Sequence, residues 1–203
     1  MDEPASRPFP AFLATIFPQA DLERAEASIA VIGPSGDILW VNPYWRQFAE
    51  ENGGEAWRDG RGSYLDGIAP PLRDFFRTVF ANVLLTGEAY EQDYECSSPE
   101  KARHYRLRIL PIGTHALVLE HSLVDIRPHD TERVAGAAAD YTTPGGIIVQ
   151  CSNCRRVRRP GTRAWDWVPP LVANLHPKIS HGICPSCVGY YWATPRTRRP
   201  SRP

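Results

Sequence analysis

Apolar positions in residues 29–32 and 38–41 form two short β-prone runs, with Gly33-Pro34-Ser35-Gly36-Asp37 between them. Turn formers between two apolar runs predict a hairpin. Asn42-Pro43 follows, a capping side chain directly before a proline suited to the first helical position, and predicts a short helix over 44–51 that Asn52-Gly53-Gly54 ends. The clearest periodicity lies at 71–86, where Leu72, Phe75, Phe76, Val79, Phe80, Val83 and Leu84 recur every three or four positions. Pro70-Pro71 before it and Gly87 after it mark the ends of a helix. The period then changes to two. In 88–96, Tyr90, Tyr94 and Cys96 oppose Glu91, Asp93 and Glu95; in 103–112, Tyr105, Leu107 and Ile109 alternate with His104, Arg106 and Arg108. Paired across the turn Ser97-Ser98-Pro99-Glu100-Lys101, an acidic strand face meets a basic one, worth about 0.2–1 kcal/mol per good pair. A last apolar strand at 116–124 brings the count to five.

This order predicts an α+β domain, a five-stranded antiparallel sheet with helices on one face. On the residues IAVIGPSGDILWVN, the long helix before Gly87 and the meander ending in Val124-Asp125-Ile126, the chain resembles a PAS domain of the bacterial signalling type. WRQFAEENGG, YLDG and YECSSPEKARHYRLRILPI carry the same resemblance, while Asp125-Ile126-Arg127 departs from the usual closing Asp-Ile-Thr. It implies a sensory domain over 25–126 with a pocket between helix and sheet, for which Trp40, Asn42, Trp45, Phe76, Phe80 and Tyr94 are the candidate lining. The long helix has no histidine, and His104 and His121 fall on strands, which speaks against classical haem ligation. No segment resembles the asparagine-cysteine-arginine stretch of covalent flavin domains. The PAS ligand is therefore left open.

Composition changes the picture at residue 140. The 203 residues carry 23 basic and 23 acidic side chains. Residues 1–140 hold 13 Lys+Arg against 22 Asp+Glu, and residues 141–203 hold 10 against 1. Such asymmetry predicts a second, basic module. A hydrophobic share of 42% excludes a wholly disordered chain. The apolar stretch at 9–17 is too short to span a bilayer, and a cytoplasmic protein is expected. The apolar positions Phe9, Phe12, Leu13, Ile16 and Phe17 suit a short amphipathic helix over part of an N-terminal segment, 1–24, that either bridges a homodimer or caps its own sheet.

Four of the five cysteines form two pairs, Cys151-Ser-Asn-Cys154 and Cys184-Pro-Ser-Cys187. A two-residue spacer lets a tight turn aim both thiolates at one ion, and two such turns complete a closed tetrahedral site. Structural Zn2+ held by Cys151, Cys154, Cys184 and Cys187 is the prediction. His181 is expected to stand behind these ligands and support them rather than bind the metal. CSNCRRVR, WDWVPPL and SHGICPSC resemble the four-cysteine modules at the ends of bacterial two-component and PAS proteins. The expected organisation is thus the N-terminal segment, the PAS-like domain, a linker at 127–146, a zinc module at 147–192 and a disordered basic tail at 193–203.

No phosphate-binding glycine loop, nucleophile elbow or metalloprotease histidine pair occurs, so a non-enzymatic sensory or adaptor protein of bacterial signal transduction is expected. Its partners would be a small-molecule ligand or a signalling protein, with no membrane. Two alternatives stay open. Arginines 155, 156, 158, 159 and 163, interleaved with Trp165 and Trp167, suit a nucleic-acid-binding regulator. The thiol set also suits a redox-responsive zinc switch.

Overall fold

The computed structural model describes residues 8–54, 57–129, 137–174 and 176–192. The expected tail at 193–203 and residues 130–136 of the expected linker lie outside them. The chain divides into two compact units: residues 1–94 with 103–126, and residues 95–102 with 127–203.

Unit 1 starts with two short helices, α1 (Ala11–Ala14) and α2 (Gln19–Arg24). The hairpin β1 (Ser28–Ile32) and β2 (Ile38–Val41) follows, then α3 (Pro43–Glu51). The Asn42 side chain caps α3 by accepting from the Trp45 N–H at 2.9 Å. A 3-10 turn at Tyr64–Gly67 leads into α4 (Pro70–Thr86), whose first turn holds the prolines that need no N–H partner there. Gly87, at φ 71°, closes the helix by donating its N–H to the Val83 carbonyl. α4 buries Leu72, Phe76, Val79, Phe80 and Val83, the stripe its periodicity predicts.

β3 (Tyr90–Glu95), β4 (Lys101–Ile112) and β5 (Ala116–Pro128) complete a five-stranded sheet ordered β2-β1-β5-β4-β3. The fold is mixed α/β with helices against this sheet. β1 pairs antiparallel with both neighbours; its register sets Ser28 opposite His121 and Ile32 opposite Leu117. The acidic and basic strand faces meet: Arg106 holds Asp93 at 2.7 and 3.0 Å, and this bond lowers the Asp93 pKa.

The second face of the sheet is also covered. Leu13 of α1 is fully buried in a cluster with Ile29, Val31, Trp40, Ile112 and Val118, and Phe9 meets Trp40 edge-on at 5.2 Å. The N-terminal segment therefore caps its own sheet, while Phe12 (40%) and Ile16 (53%) stay exposed. No helix among the described residues is long and apolar enough to cross a membrane.

Unit 2 has a small sheet of its own. A 3-10 turn at Ala138–Tyr141, in the stretch expected to be linker, puts Tyr141 into this unit's core with Ile148, Val157, Val168 and Leu171. The strands are β6 (Ile148–Cys151), β7 (Val157–Arg158) and β8 (Trp165–Asp166); α5 (Pro169–Ala173) follows, then β9 (Ile179–Gly182) and α6 (Pro185–Trp192). Their order is β8-β7-β6-β9, and the parallel β6–β9 pair sets Cys151 opposite Gly182. That pairing brings the distant Cys184 turn beside the Cys151 turn.

Candidate functional site: an aromatic cavity and a four-thiol cluster

Unit 1 holds a half-open cavity of about 290 Å³ between its helices and the sheet. α3 contributes Trp45, Phe48 and Ala49, and the following loop contributes Trp57. Trp45 is fixed by donating its indole N–H to the Trp57 carbonyl at 2.9 Å. The sheet contributes Ser28, Tyr94, Tyr105 and His121, and Tyr64 enters from the 3-10 turn.

His121 joins two of these walls. Tyr64 Oη lies 3.1 Å from its Nε2 and Tyr94 Oη 2.7 Å from its Nδ1. A neutral imidazole offers one N–H and one bare nitrogen, so one tyrosine donates to the ring and the other accepts from it. Burial lowers the His121 pKa to about 4, which keeps the ring neutral at pH 7. Ser28, opposite His121 in register and 4% exposed, has a hydroxyl with no hydrogen-bond partner among the described residues.

Of the residues expected to line a pocket, Trp45 and Tyr94 do, while Trp40, Asn42, Phe76 and Phe80 are not among the lining residues. A bulge explains Trp40. β1 pairs Val31 with Trp40 but Ile32 with Ile38, leaving Leu39 as the extra residue, so Ile38 turns to the cavity and Trp40 to the opposite face. Asn42 is fully buried and has four bonds of its own. Its Oδ1 accepts from the N–H groups of Ile29 and Trp45, and its Nδ2 donates to the carbonyls of Leu22 and Ala27. Phe76 and Phe80 are buried on α4, where Phe80 packs behind Tyr64 with ring centroids 6.0 Å apart. Sequence reasoning missed Ser28, Trp57 and Tyr64 as lining residues, and it weighed His121 only as an iron ligand. Nothing local marks them, because they converge through the β1–β5 register and the loop after α3.

In unit 2 the sulfurs of Cys151, Cys154, Cys184 and Cys187 all lie within 4.8 Å of one another, and all four residues are buried. Cys154 and Cys184 Sγ are 3.6 Å apart. A tetrahedral zinc with Zn–S near about 2.3 Å sets sulfurs about 3.8 Å apart, so this donor set fits the ion. The N–H of Cys184 donates to Cys151 Sγ at 3.3 Å, and that of Cys187 to Cys184 Sγ at 3.4 Å. Such bonds favour thiolate. Hydrogen bonds from the other three thiols hold the Cys151 pKa far below the ordinary thiol value, and the same crowding raises Cys154 far above it. Cys184 is likewise shifted down and Cys187 up, so two thiols lose their protons readily while the other two resist, a conflict that a divalent cation relieves.

The first turn is closed by the Cys151 N–H on the Arg156 carbonyl and the Arg155 N–H on the Cys151 carbonyl. It places Arg155 at φ 64°, a left-handed conformation that costs a non-glycine residue about 1 kcal/mol. His181 is exposed on β9 opposite Gln150, outside the cluster. The side chain that does reach a sulfur is Asn153, which donates to Cys187 Sγ at 3.2 Å and is held by the Tyr191 hydroxyl at 2.6 Å. Arg156 also reaches the cluster, at Cys154. Burial pulls its pKa down, but the charges of Cys154 and Glu95 outweigh that, and Arg156 pairs with Glu95 at 3.1 Å.

No protein-family model matches the chain, and comparison with curated proteins finds no match. Solved structures do match over about half of it. The PAS domain of the Cronobacter turicensis RpfR quorum-sensing receptor in complex with BDSF is 17% identical, with a TM-score of 0.38 over 50% of this chain and 97% of that one. The PAS domain of Bordetella pertussis BvgS is 15% identical, with a TM-score of 0.41 over 55% and 85%. The PAS domain of an HTR-like protein from Haloarcula marismortui is 15% identical, with a TM-score of 0.39 over 52% and 87%. The chain's neighbours among solved structures are therefore PAS domains, at a similarity loose enough that the sites above stand on their own geometry.

Proposed function

We propose that this protein is a non-enzymatic sensory or adaptor protein of signal transduction, in which unit 1 receives a small molecule and unit 2 is a zinc-stapled module for docking or output. The observation that carries the reading is the aromatic cavity of unit 1, a concave and mostly apolar site with a few converging polar groups. Zinc, when bound by the four thiolates, supplies a closed structural site with no position left for water. It acts as a staple that a module with a small apolar core needs.

The chain itself is the route between the two. Tyr94 lines the cavity, and the next residue, Glu95, belongs to unit 2 and pairs there with Arg156 beside the thiols. Two of the arginines that would face a nucleic acid, Arg156 and Arg159, are paired with Glu95 and Asp166, which favours a protein partner. A second copy of the chain is one such partner, through exposed Phe12 and Ile16.

Native mass spectrometry of the purified protein, with elemental analysis, tests the reading. One zinc per chain together with a small molecule retained by unit 1, or restored by titration, is the expected result. A chain that holds no metal and saturates with no small molecule refutes it.

A further inference from the structure

A polar group closed inside an apolar cavity costs free energy unless it finds a partner, and natural cores rarely leave one unmatched. The Ser28 hydroxyl is such a group: it has no partner among the described residues, and Ser28 lines the cavity. Its register neighbour His121 does not supply one, because both imidazole nitrogens are taken by Tyr64 and Tyr94. In the rotamer present the hydroxyl is sealed off, and a turn about χ1 is what presents the unmet bond to whatever fills the space.

Three further observations define that occupant. Among the described residues no Lys, Arg, Asp or Glu lines the cavity, so neither an anion nor a cation would find a counter-charge from them. The walls are flat rings, with Trp45, Phe48 and Trp57 from the helical side and Tyr105 from the sheet. At about 290 Å³ the space suits a body on the order of a dozen non-hydrogen atoms. We infer that unit 1 binds a small, uncharged, planar aromatic molecule with one hydroxyl-type group, seated with that group on Ser28 and its ring between the aromatic walls. This rests on the reading of unit 1 as a small-molecule receptor. A ligand hydroxyl serves better than a bare carbonyl, since it matches the serine whether the serine donates or accepts.

The test uses the full chain and calorimetric titration with three probes that share one body: 2-naphthol, 2-naphthoate and 2-naphthylmethylammonium. The expected result is saturable binding of one 2-naphthol per chain, with both charged probes at least tenfold weaker. Ser28→Ala should weaken 2-naphthol at least fivefold while raising the melting midpoint of the free protein, because it removes an unmatched buried hydroxyl. Ala49→Leu, which fills the cavity from α3, should abolish binding. Equal binding of a charged probe, unchanged affinity in Ser28→Ala, or binding that survives Ala49→Leu overturns the inference and leaves the receptor reading standing. Failure of all three probes, with no small molecule retained in native mass spectrometry, overturns both.

Discussion

His121 makes unit 1 sensitive to mild acid. In the unfolded chain its imidazole titrates near pH 6.5, whereas burial holds the folded ring neutral until about pH 4. Between these values the unfolded state binds the extra proton, so stability rises with pH across the window and is lost as pH falls from 6.5 toward 4. The full shift corresponds to about 3 kcal/mol. The ring borders the cavity and is half-buried, so water reaching that face reduces the expected loss to about 1–2 kcal/mol. His121→Gln removes the titration yet keeps one donor and one acceptor for the Tyr64 and Tyr94 hydroxyls.

The measurement is urea unfolding of both proteins at steps from pH 7.5 to 4, followed by hydrogen exchange of peptides from β1 and β5. Reading those strands separates unit 1 from acid loss of metal in unit 2. Relative to the variant, the wild-type protein should lose about 1–2 kcal/mol between pH 6.5 and 4 and less than about 0.5 kcal/mol between 7.5 and 6.5. A stability difference that stays flat down to pH 4 would refute the reasoning, because the folded ring would then accept its proton as readily as the unfolded one.

Cys184→Ser removes one of four thiolates and should abolish stoichiometric zinc by elemental analysis and expose unit 2 to protease, while β1 and β5 keep their exchange protection. Asn153→Ala should weaken zinc retention about tenfold against a competing chelator, since Asn153 holds the Cys187 sulfur; an unchanged competition curve would remove that role. Asn42→Ala strands the N–H groups of Ile29 and Trp45 and the carbonyls of Leu22 and Ala27, and should cost about 3 kcal/mol in urea unfolding of unit 1. Phe12→Ser with Ile16→Ser should convert a dimer to a monomer by light scattering without lowering the melting midpoint; an unchanged mass removes that face as the dimer contact.

Local pattern by itself determined most elements of unit 1 and the two cysteine turns. The apolar stripe of α4 and its Pro70 and Gly87 ends are readable because helix period and chain-end stereochemistry act within a few residues. The same holds for the Asn42 cap and the acidic and basic strand faces that meet in the Arg106–Asp93 pair. The four clustered thiols were legible because each pair carries its turn with it. What tertiary structure decided is non-local. One extra residue at Leu39 reverses which side chain of β2 faces the cavity, and strand alternation cannot register a bulge whose partner lies on another strand. The β1–β5 register and the loop after α3 assemble Ser28, His121, Tyr64 and Trp57, positions up to 93 apart in sequence from Ser28 to His121, around one cavity. His181 looked like a supporting group from its spacing to Cys184, but parallel pairing of β9 leaves it exposed while Asn153, inside the first turn, reaches the sulfur. Side-chain type and short spacing encode what a residue is able to do; register, bulges and packing decide which residues share a site, because these depend on contacts between segments distant in sequence.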